Sequence, residues 1–131
     1  MFDYEKFLEL ISNEFNIAVD EGLALGIYDS QDMLDTHIEI ERRHAARIFH
    51  MILLKQYKVK DLEGIEKAAE LLDLYDCRVC VNHIAQVYMR GIMDARLERI
   101  FDGRACISEE EAKKAVEEIL IIVRKETADA L

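Results

Sequence analysis

Apolar residues recur along most of the chain at alternating steps of three and four, the spacing that places them on one face of an α-helix. This pattern predicts a first helix over residues 3–25, ended by Gly26, and a second over residues 29–57, capped by Asp29. A third pattern covers residues 61–101, and a last helix follows Ser108 in the sequence SEEE, which fits a capping box. Short turns between long helices favour antiparallel neighbours. The fold class predicted is all-α, an up-and-down bundle of four to five helices in a single domain of residues 1–131.

The third pattern is too long for one helix of a small bundle, since it would span about 60 Å at ~1.5 Å per residue. We expect a break near the sequence LDLYDC, giving helices over about residues 62–74 and 77–101. The alternative is one continuous helix that projects towards another subunit. From Leu74 to Met93 the pattern is apolar around most of the helix, which indicates burial on nearly all sides. One bundle of this size does not supply that cover, so a homodimer is expected.

Composition narrows the classes of partner. The chain has no proline and 51% apolar residues, in agreement with helices throughout, and its net charge of −10 disfavours nucleic acid and anionic membranes. No apolar run approaches the ~20 residues of a membrane-spanning helix, and the amino terminus lacks the pattern of a signal peptide. We therefore expect a cytoplasmic location, with the three cysteines reduced.

A carboxylate falls on the apolar face of the predicted second helix. Glu41 shares that face with Leu34 and Ile38, and a buried carboxylate is costly unless it is paired, hydrogen-bonded or bound to a metal. His44 lies three residues further on and projects to the same side. The segment ERRHAAR resembles the ExxHA stretch of ferritin-like and rubrerythrin-like di-iron proteins, and His37 with Glu41 resembles one fragment of the hemerythrin pattern.

These resemblances imply a metal site between helices, for iron, manganese or zinc. The last helix contains no histidine, so the second ExxH motif of a symmetrical di-iron site is missing and a half site is expected. If the first two helices turn back near residue 27, Glu14 faces Glu41. The alternative is a structural ion pair between Glu41 and a neighbouring histidine or arginine. The candidate metal ligands are Glu14, His37, Glu41, His44 and His83.

A CxxC motif, Cys77 to Cys80, is followed by His83. At the start of a helix, backbone donors stabilise a thiolate and lower the thiol pKa. The segment CRVCVNHIA resembles the CxxCxxxH signature of the alkylhydroperoxidase D and carboxymuconolactone decarboxylase family, with the histidine one position earlier. The resemblance implies a peroxide or disulfide relay that uses both cysteines and the histidine. The alternatives are a zinc site and two small cysteines packed in the core.

A third motif depends on arginine and histidine. The spacing from Arg78 to His83 fits the Arg-x4-6-His motif of HEPN-type helical ribonucleases, as does the spacing from Arg43 to His50. The resemblance implies cleavage of RNA at a dimer groove, which the negative charge of the chain disfavours. His50 lies on the helix face opposite Glu41 and is expected to be solvated.

None of these motifs defines a complete catalytic site. The sequence therefore predicts a small interaction or assembly module that acts as a homo-oligomer with a protein partner, with no catalytic residue and no cofactor expected. A metal-binding bundle is the second interpretation. A CxxC redox protein and a helical ribonuclease follow it.

Overall fold

The computed structural model describes residues 1–130, and in this part of the chain the regular elements are helices, with no β-strand. The all-α class predicted from the sequence is confirmed. The up-and-down bundle, the single domain and the homodimer stay predictions. The five α-helices are α1 (Tyr4–Phe15), α2 (Val19–Leu25), α3 (Arg42–Met51), α4 (Val81–Met89) and α5 (Glu109–Ala130).

The first predicted helix is divided in two. The Asp3 carboxylate accepts a hydrogen bond from the Lys6 backbone N–H at 3.0 Å and caps α1. Asn16 then adopts the left-handed conformation, with φ 55°, and ends α1 after Phe15. The prediction of one helix over residues 3–25 is therefore wrong at this break, whereas α2 does end at Gly26.

The predicted second helix is wrong over the residues that precede Arg42. A single 3-10 turn at Ser30–Met33 is followed by non-helical chain, in which the Ile38 carbonyl accepts the Tyr4 N–H at 3.0 Å. Leu34 is 77% exposed and Ile38 is 52% exposed, so neither belongs to the core. Glu41 is the residue that precedes α3 instead of a residue inside a helix.

The start of α3 is held by a loop from later in the chain. The Arg42 and Arg43 backbone N–H groups donate to the Ala105 carbonyl at 2.8 Å and the Gly103 carbonyl at 2.9 Å. These bonds satisfy donors that have no partner within the helix, and Glu41 makes no side-chain cap. At its other end α3 continues into a π-helical stretch, Ile52–Gln56.

The third region contains much less α-helix than the sequence predicts. Single 3-10 turns occur at Ala68–Glu70, Leu74–Asp76 and Arg78–Cys80, and α4 follows. The break expected near LDLYDC is present, but the helices predicted over residues 62–74 and 77–101 are wrong. The Asp73 carboxylate accepts the Phe101 and Asp102 N–H groups at 2.9 and 2.8 Å, so it anchors the later loop instead of capping a long helix.

The core is assembled from two helix pairs, α3 against α4 and α1 against α5. The rings of Phe7 and Phe49 lie 5.5 Å apart between centroids and join the pairs. Half of the capping box predicted for the last helix is present, because Ser108 Oγ accepts the Glu111 N–H at 3.1 Å, whereas the Glu111 carboxylate pairs with Arg42. Among the described residues, none of the helices has the combined length and apolar character required to cross a membrane.

Candidate functional site

The packing of α3 against α4 brings two histidines into contact. His50, in the last turn of α3, and His83, in the first turn of α4, have their Nδ1 atoms 2.8 Å apart. His50 is 2% exposed, so the expectation that it is solvated is wrong. A buried imidazole needs hydrogen-bond partners, and His83 supplies one of them.

A carboxylate supplies the other partner. His50 Nε2 lies 2.6 Å from Oδ1 of Asp61, and the Asn82 side-chain amide donates to Oδ2 of Asp61 at 2.9 Å. The adjacent Leu62 backbone is fixed to α4 by Gln86, whose side chain accepts the Leu62 N–H at 2.9 Å and donates to the Leu62 carbonyl at 3.1 Å. Asp61, His50 and His83 thus form a continuous hydrogen-bonded series, here called the histidine chain.

The order of donors follows from the partners. An ionised Asp61 can only accept, so His50 donates through Nε2–H. When the His50 ring carries only this proton, its Nδ1 is the acceptor and receives the Nδ1–H of His83. Within the described part of the chain no hydrogen bond engages Nε2 of His83. That nitrogen therefore carries the lone pair through which the histidine chain can take up a proton.

Electrostatic effects keep the histidine chain in this protonation state near neutral pH. Burial, assisted by the neighbouring His50 and Arg47, lowers the pKa of His83 from its ordinary value to about 4. Burial acts to raise the pKa of Asp61, but the hydrogen bonds from His50 and Asn82 outweigh it and the net shift is downward. At neutral pH the histidine chain therefore has the neutral imidazole of His83 at one end and the ionised carboxylate of Asp61 at the other.

The two cysteines of the CxxC motif are joined in a disulfide. Cys77 follows the 3-10 turn Leu74–Asp76, and Cys80 is the last residue before α4. Cys80 is buried and Cys77 is half-buried. The expectation of reduced thiols is wrong for this pair, while Cys106 is an exposed free thiol. Burial and the nearby Glu39 raise the pKa of Cys106, which favours its protonated form.

The disulfide and the histidine chain reach the same cavity. Its volume is about 490 Å³, a size typical of small-ligand sites. We call it the disulfide cavity. Residues that line it include Cys77, Cys80, His83, Glu41, His44 and Arg47.

The five candidate metal ligands are not gathered at one point. Glu14 is exposed on α1, and exposed His37 pairs with Glu5, with Nδ1 and Oε2 3.5 Å apart. Glu41 lies 3.8 Å from His44 and 3.1 Å from Arg43, which matches the alternative of a structural ion pair. Burial lowers the pKa of His44, although Glu41 acts in the opposite direction.

Ligand-type side chains do converge at another place. Among the described residues, Asp3, Glu5 and His37 have ligand atoms within 4.8 Å of one another, at the surface beside the start of α1. Of the predicted metal ligands only His37 belongs to this group. The metal site made of Glu14, His37, Glu41, His44 and His83 stays a prediction that this geometry does not assemble.

The ribonuclease motif is also separated. His83 lines the disulfide cavity, whereas Arg78 is exposed and is not among the residues of that cavity. Sequence reasoning named His50 only in the arginine–histidine spacing and expected it to be solvated, and it did not recognise Asp61 as part of a site. No spacing links them, because Asp61 was expected only as a helix cap and the two residues meet through a loop that the helical pattern did not reveal.

No protein-family model matches the sequence, and neither a curated protein nor a solved structure matches the chain.

Proposed function

We propose that this protein is a thiol–disulfide oxidoreductase in which Cys77 and Cys80 alternate between a disulfide and a dithiol, and His83 transfers the proton. The observation that carries the proposal is that the disulfide and His83 line one cavity, while His83 is hydrogen-bonded through His50 towards Asp61. Two small cysteines in a core would not need such a partner.

The chemistry begins with proton removal from an incoming thiol. Neutral His83 accepts the thiol proton at Nε2, and the resulting thiolate attacks the sulfur of Cys77, the more exposed of the two cysteines. The Cys77–Cys80 bond breaks, a mixed disulfide forms at Cys77, and Cys80 leaves as a thiolate. His83 returns the proton to Cys80. A second substrate thiol then displaces Cys77, so two thiols become one disulfide and the protein becomes a dithiol.

The histidine chain supports this proton transfer. When His83 becomes an imidazolium, its Nδ1–H still donates to His50, and His50 still donates to the Asp61 carboxylate. A negative charge at the far end of a hydrogen-bonded series stabilises the positive charge as it forms. The pKa of His83, about 4, keeps the ring neutral near pH 7 and makes it a weak base, so the proton transfer depends on stabilisation of the imidazolium by the Asp61 carboxylate.

The first experiment counts thiols and measures exchange. Under denaturing conditions the aerobically purified chain should present one reactive thiol, Cys106, and three after treatment with dithiothreitol. The rate of reduction of the disulfide, followed by maleimide labelling and mass spectrometry, should fall roughly tenfold to a hundredfold in His83→Ala. Three reactive thiols in the untreated protein would contradict the proposal.

A matched control separates proton transfer from general damage. His37→Ala removes an exposed histidine that pairs with Glu5 and does not line the disulfide cavity. This variant should be reduced at the rate of the unmodified chain. Equal slowing in His37→Ala and His83→Ala would exclude the assigned role of His83. The assembly role, the homodimer and the cytoplasmic location predicted from the sequence are separate proposals that this experiment leaves as they are.

A further inference from the structure

Three exposed apolar side chains line the disulfide cavity. Val79, between the two cysteines, is 85% exposed, and Leu34 and Ile38 line the same cavity at 77% and 52% exposure. Leu72 and Tyr75 are also exposed on the segment that leads to Cys77. Apolar side chains grouped at the surface around a reactive bond indicate a contact area for another molecule.

Negatively charged side chains outnumber positively charged ones along the disulfide cavity. Five carboxylates line it with two guanidinium groups. Arg47 is paired with Asp32 at 2.6 Å and with Asp29 at 3.7 Å, and Arg43 is paired with Glu41 at 3.1 Å. Both arginines are thus already neutralised by residues of the cavity itself.

Two carboxylates of the cavity take part in no ion pair among the described residues. Asp35 and Glu39 line the cavity, are exposed, and make no ion pair among the described residues. His44 does not compensate them, because burial lowers its pKa and favours the neutral ring. The opening therefore presents a negative potential, in keeping with the net charge of −10 for the whole chain.

We infer that the substrate thiol is a cysteine in a polypeptide segment of a partner protein, with apolar residues next to the cysteine and basic residues beside them. The inference rests on the proposed thiol–disulfide exchange and names its substrate class. Apolar neighbours of the cysteine would cover Leu34, Ile38 and Val79, and basic residues would face Asp35 and Glu39. Small anionic thiols would be repelled by the same carboxylates and would leave the apolar opening uncovered.

The test compares three synthetic peptides as reductants of the full chain. They are blocked at both ends and read Lys-Leu-Cys-Val-Lys, Glu-Leu-Cys-Val-Glu and Lys-Ser-Cys-Ser-Lys. Because flanking charges change thiol reactivity, each rate is divided by the rate of the same peptide with a neutral small-molecule disulfide. At low salt the basic apolar peptide should reduce the Cys77–Cys80 bond at least about tenfold faster than the acidic peptide, and added salt should shrink that ratio.

Two further measurements isolate the contact area. In the Leu34→Ser, Val79→Ser double variant the ratio of the rate with the basic apolar peptide to the rate with dithiothreitol should fall about fivefold. The matched control, Leu97→Ser, replaces an exposed leucine that does not line the cavity and should keep the ratio. Peptides with serine in place of cysteine should bind the oxidised chain in the same order of affinity, measured by fluorescence anisotropy.

The outcomes distinguish this inference from the function on which it rests. If dithiothreitol reduces the disulfide but the three normalised peptide rates are equal, the substrate class is wrong and the exchange activity stands. A faster normalised rate with the acidic peptide would also overturn the inferred substrate class. If the disulfide is absent from the purified chain, both the exchange activity and its substrate class are overturned.

Discussion

The Nδ1 atoms of His50 and His83 lie 2.8 Å apart, which requires one imidazole to donate and the other to accept. Two imidazolium rings cannot share this contact, since each would present a proton to the other. The pair therefore holds one proton between its two facing nitrogens, and a second positive charge in the pair must separate them. This restriction links the protonation of the site to the packing of α3 against α4.

Acid should destabilise the protein through His83. Its pKa is about 4 when folded, whereas an unfolded histidine titrates near 6.5, so the unfolded chain binds more protons between these values. Stability should thus be full above about pH 6.5 and fall as the pH drops towards 4, by at most about 3 kcal/mol. Burial, followed by the neighbouring His50 and Arg47, favours the neutral His83 ring, and Asp61 opposes them. Urea unfolding between pH 7.5 and 4.5 measures the slope.

His83→Gln is the variant that tests this origin. It should show a flatter dependence of unfolding free energy on pH over that range, while the exposed His37→Gln variant should keep the slope of the unmodified chain. If the slope in His83→Gln equals that of the unmodified chain, groups other than His83 cause the acid sensitivity.

Removing the charge at the far end of the histidine chain should slow exchange without disrupting the fold. Asp61→Asn can still accept from His50, but it no longer raises the proton affinity of His83. We expect disulfide reduction to slow roughly tenfold and the acid limb of its pH profile to move to lower pH. The control is Glu63→Gln, which removes the charge of an exposed glutamate in the same loop. A lower rate with an unchanged pH profile would contradict the electrostatic role of Asp61.

A buried guanidinium paired with a partly exposed carboxylate should make Arg42 one of the most sensitive positions. Arg42 is 2% exposed, donates to the Phe101 carbonyl at 3.1 Å and pairs with Glu111, and burial lowers its pKa to about 10. Arg42→Ala leaves a carboxylate and carbonyls without their partner and should cost about 3–5 kcal/mol. The exposed pair of Arg96 and Asp102 provides the comparison, since Arg96→Ala should cost under about 1 kcal/mol. Chemical denaturation of both variants decides the order.

Close packing should forbid a side chain at Gly22. A Cβ atom there would lie 2.4 Å from Cδ2 of the buried Tyr28 ring. Although alanine favours a helix more than glycine does, Gly22→Ala should destabilise the chain by about 1–3 kcal/mol because the ring must move. The cost should be smaller in a Tyr28→Leu background. An equal cost in both backgrounds would show that the ring is not the cause.

Local signals in the sequence were sufficient for some of the helix ends. Asp3 and Ser108 cap α1 and α5 because each side chain needs only a backbone N–H three residues further on. Because these signals are local, they do not report contacts with distant parts of the chain, and this explains the errors in the predicted helices. Leu34 and Ile38 have helical spacing, yet the segment pairs with the start of α1 through the Tyr4 N–H and leaves both side chains exposed. A backbone partner that is distant in sequence is invisible to a periodic pattern.

The site was predictable only in part, because some of its residues are also joined by contacts between distant parts of the sequence. The CxxC motif and His83 are adjacent in sequence, and spacing alone made them candidates. Asp61 and His50 join them through a loop held by Gln86, and that arrangement depends on tertiary hydrogen bonds. Glu41 was placed inside a helix because helical spacing continued through it, but carbonyls of the loop near Gly103 start α3 one residue later.

The Cys77–Cys80 bond closes a very short loop, with a sequence separation of 3. A cross-link of that length restricts the unfolded chain little, and its entropic contribution to stability is about 2 kcal/mol. The caps of α1 and α5, and the contacts between these two helices, lie away from it. In the proposed exchange the dithiol form would hold an electron pair that the disulfide form has released, while these two helices keep their caps and contacts.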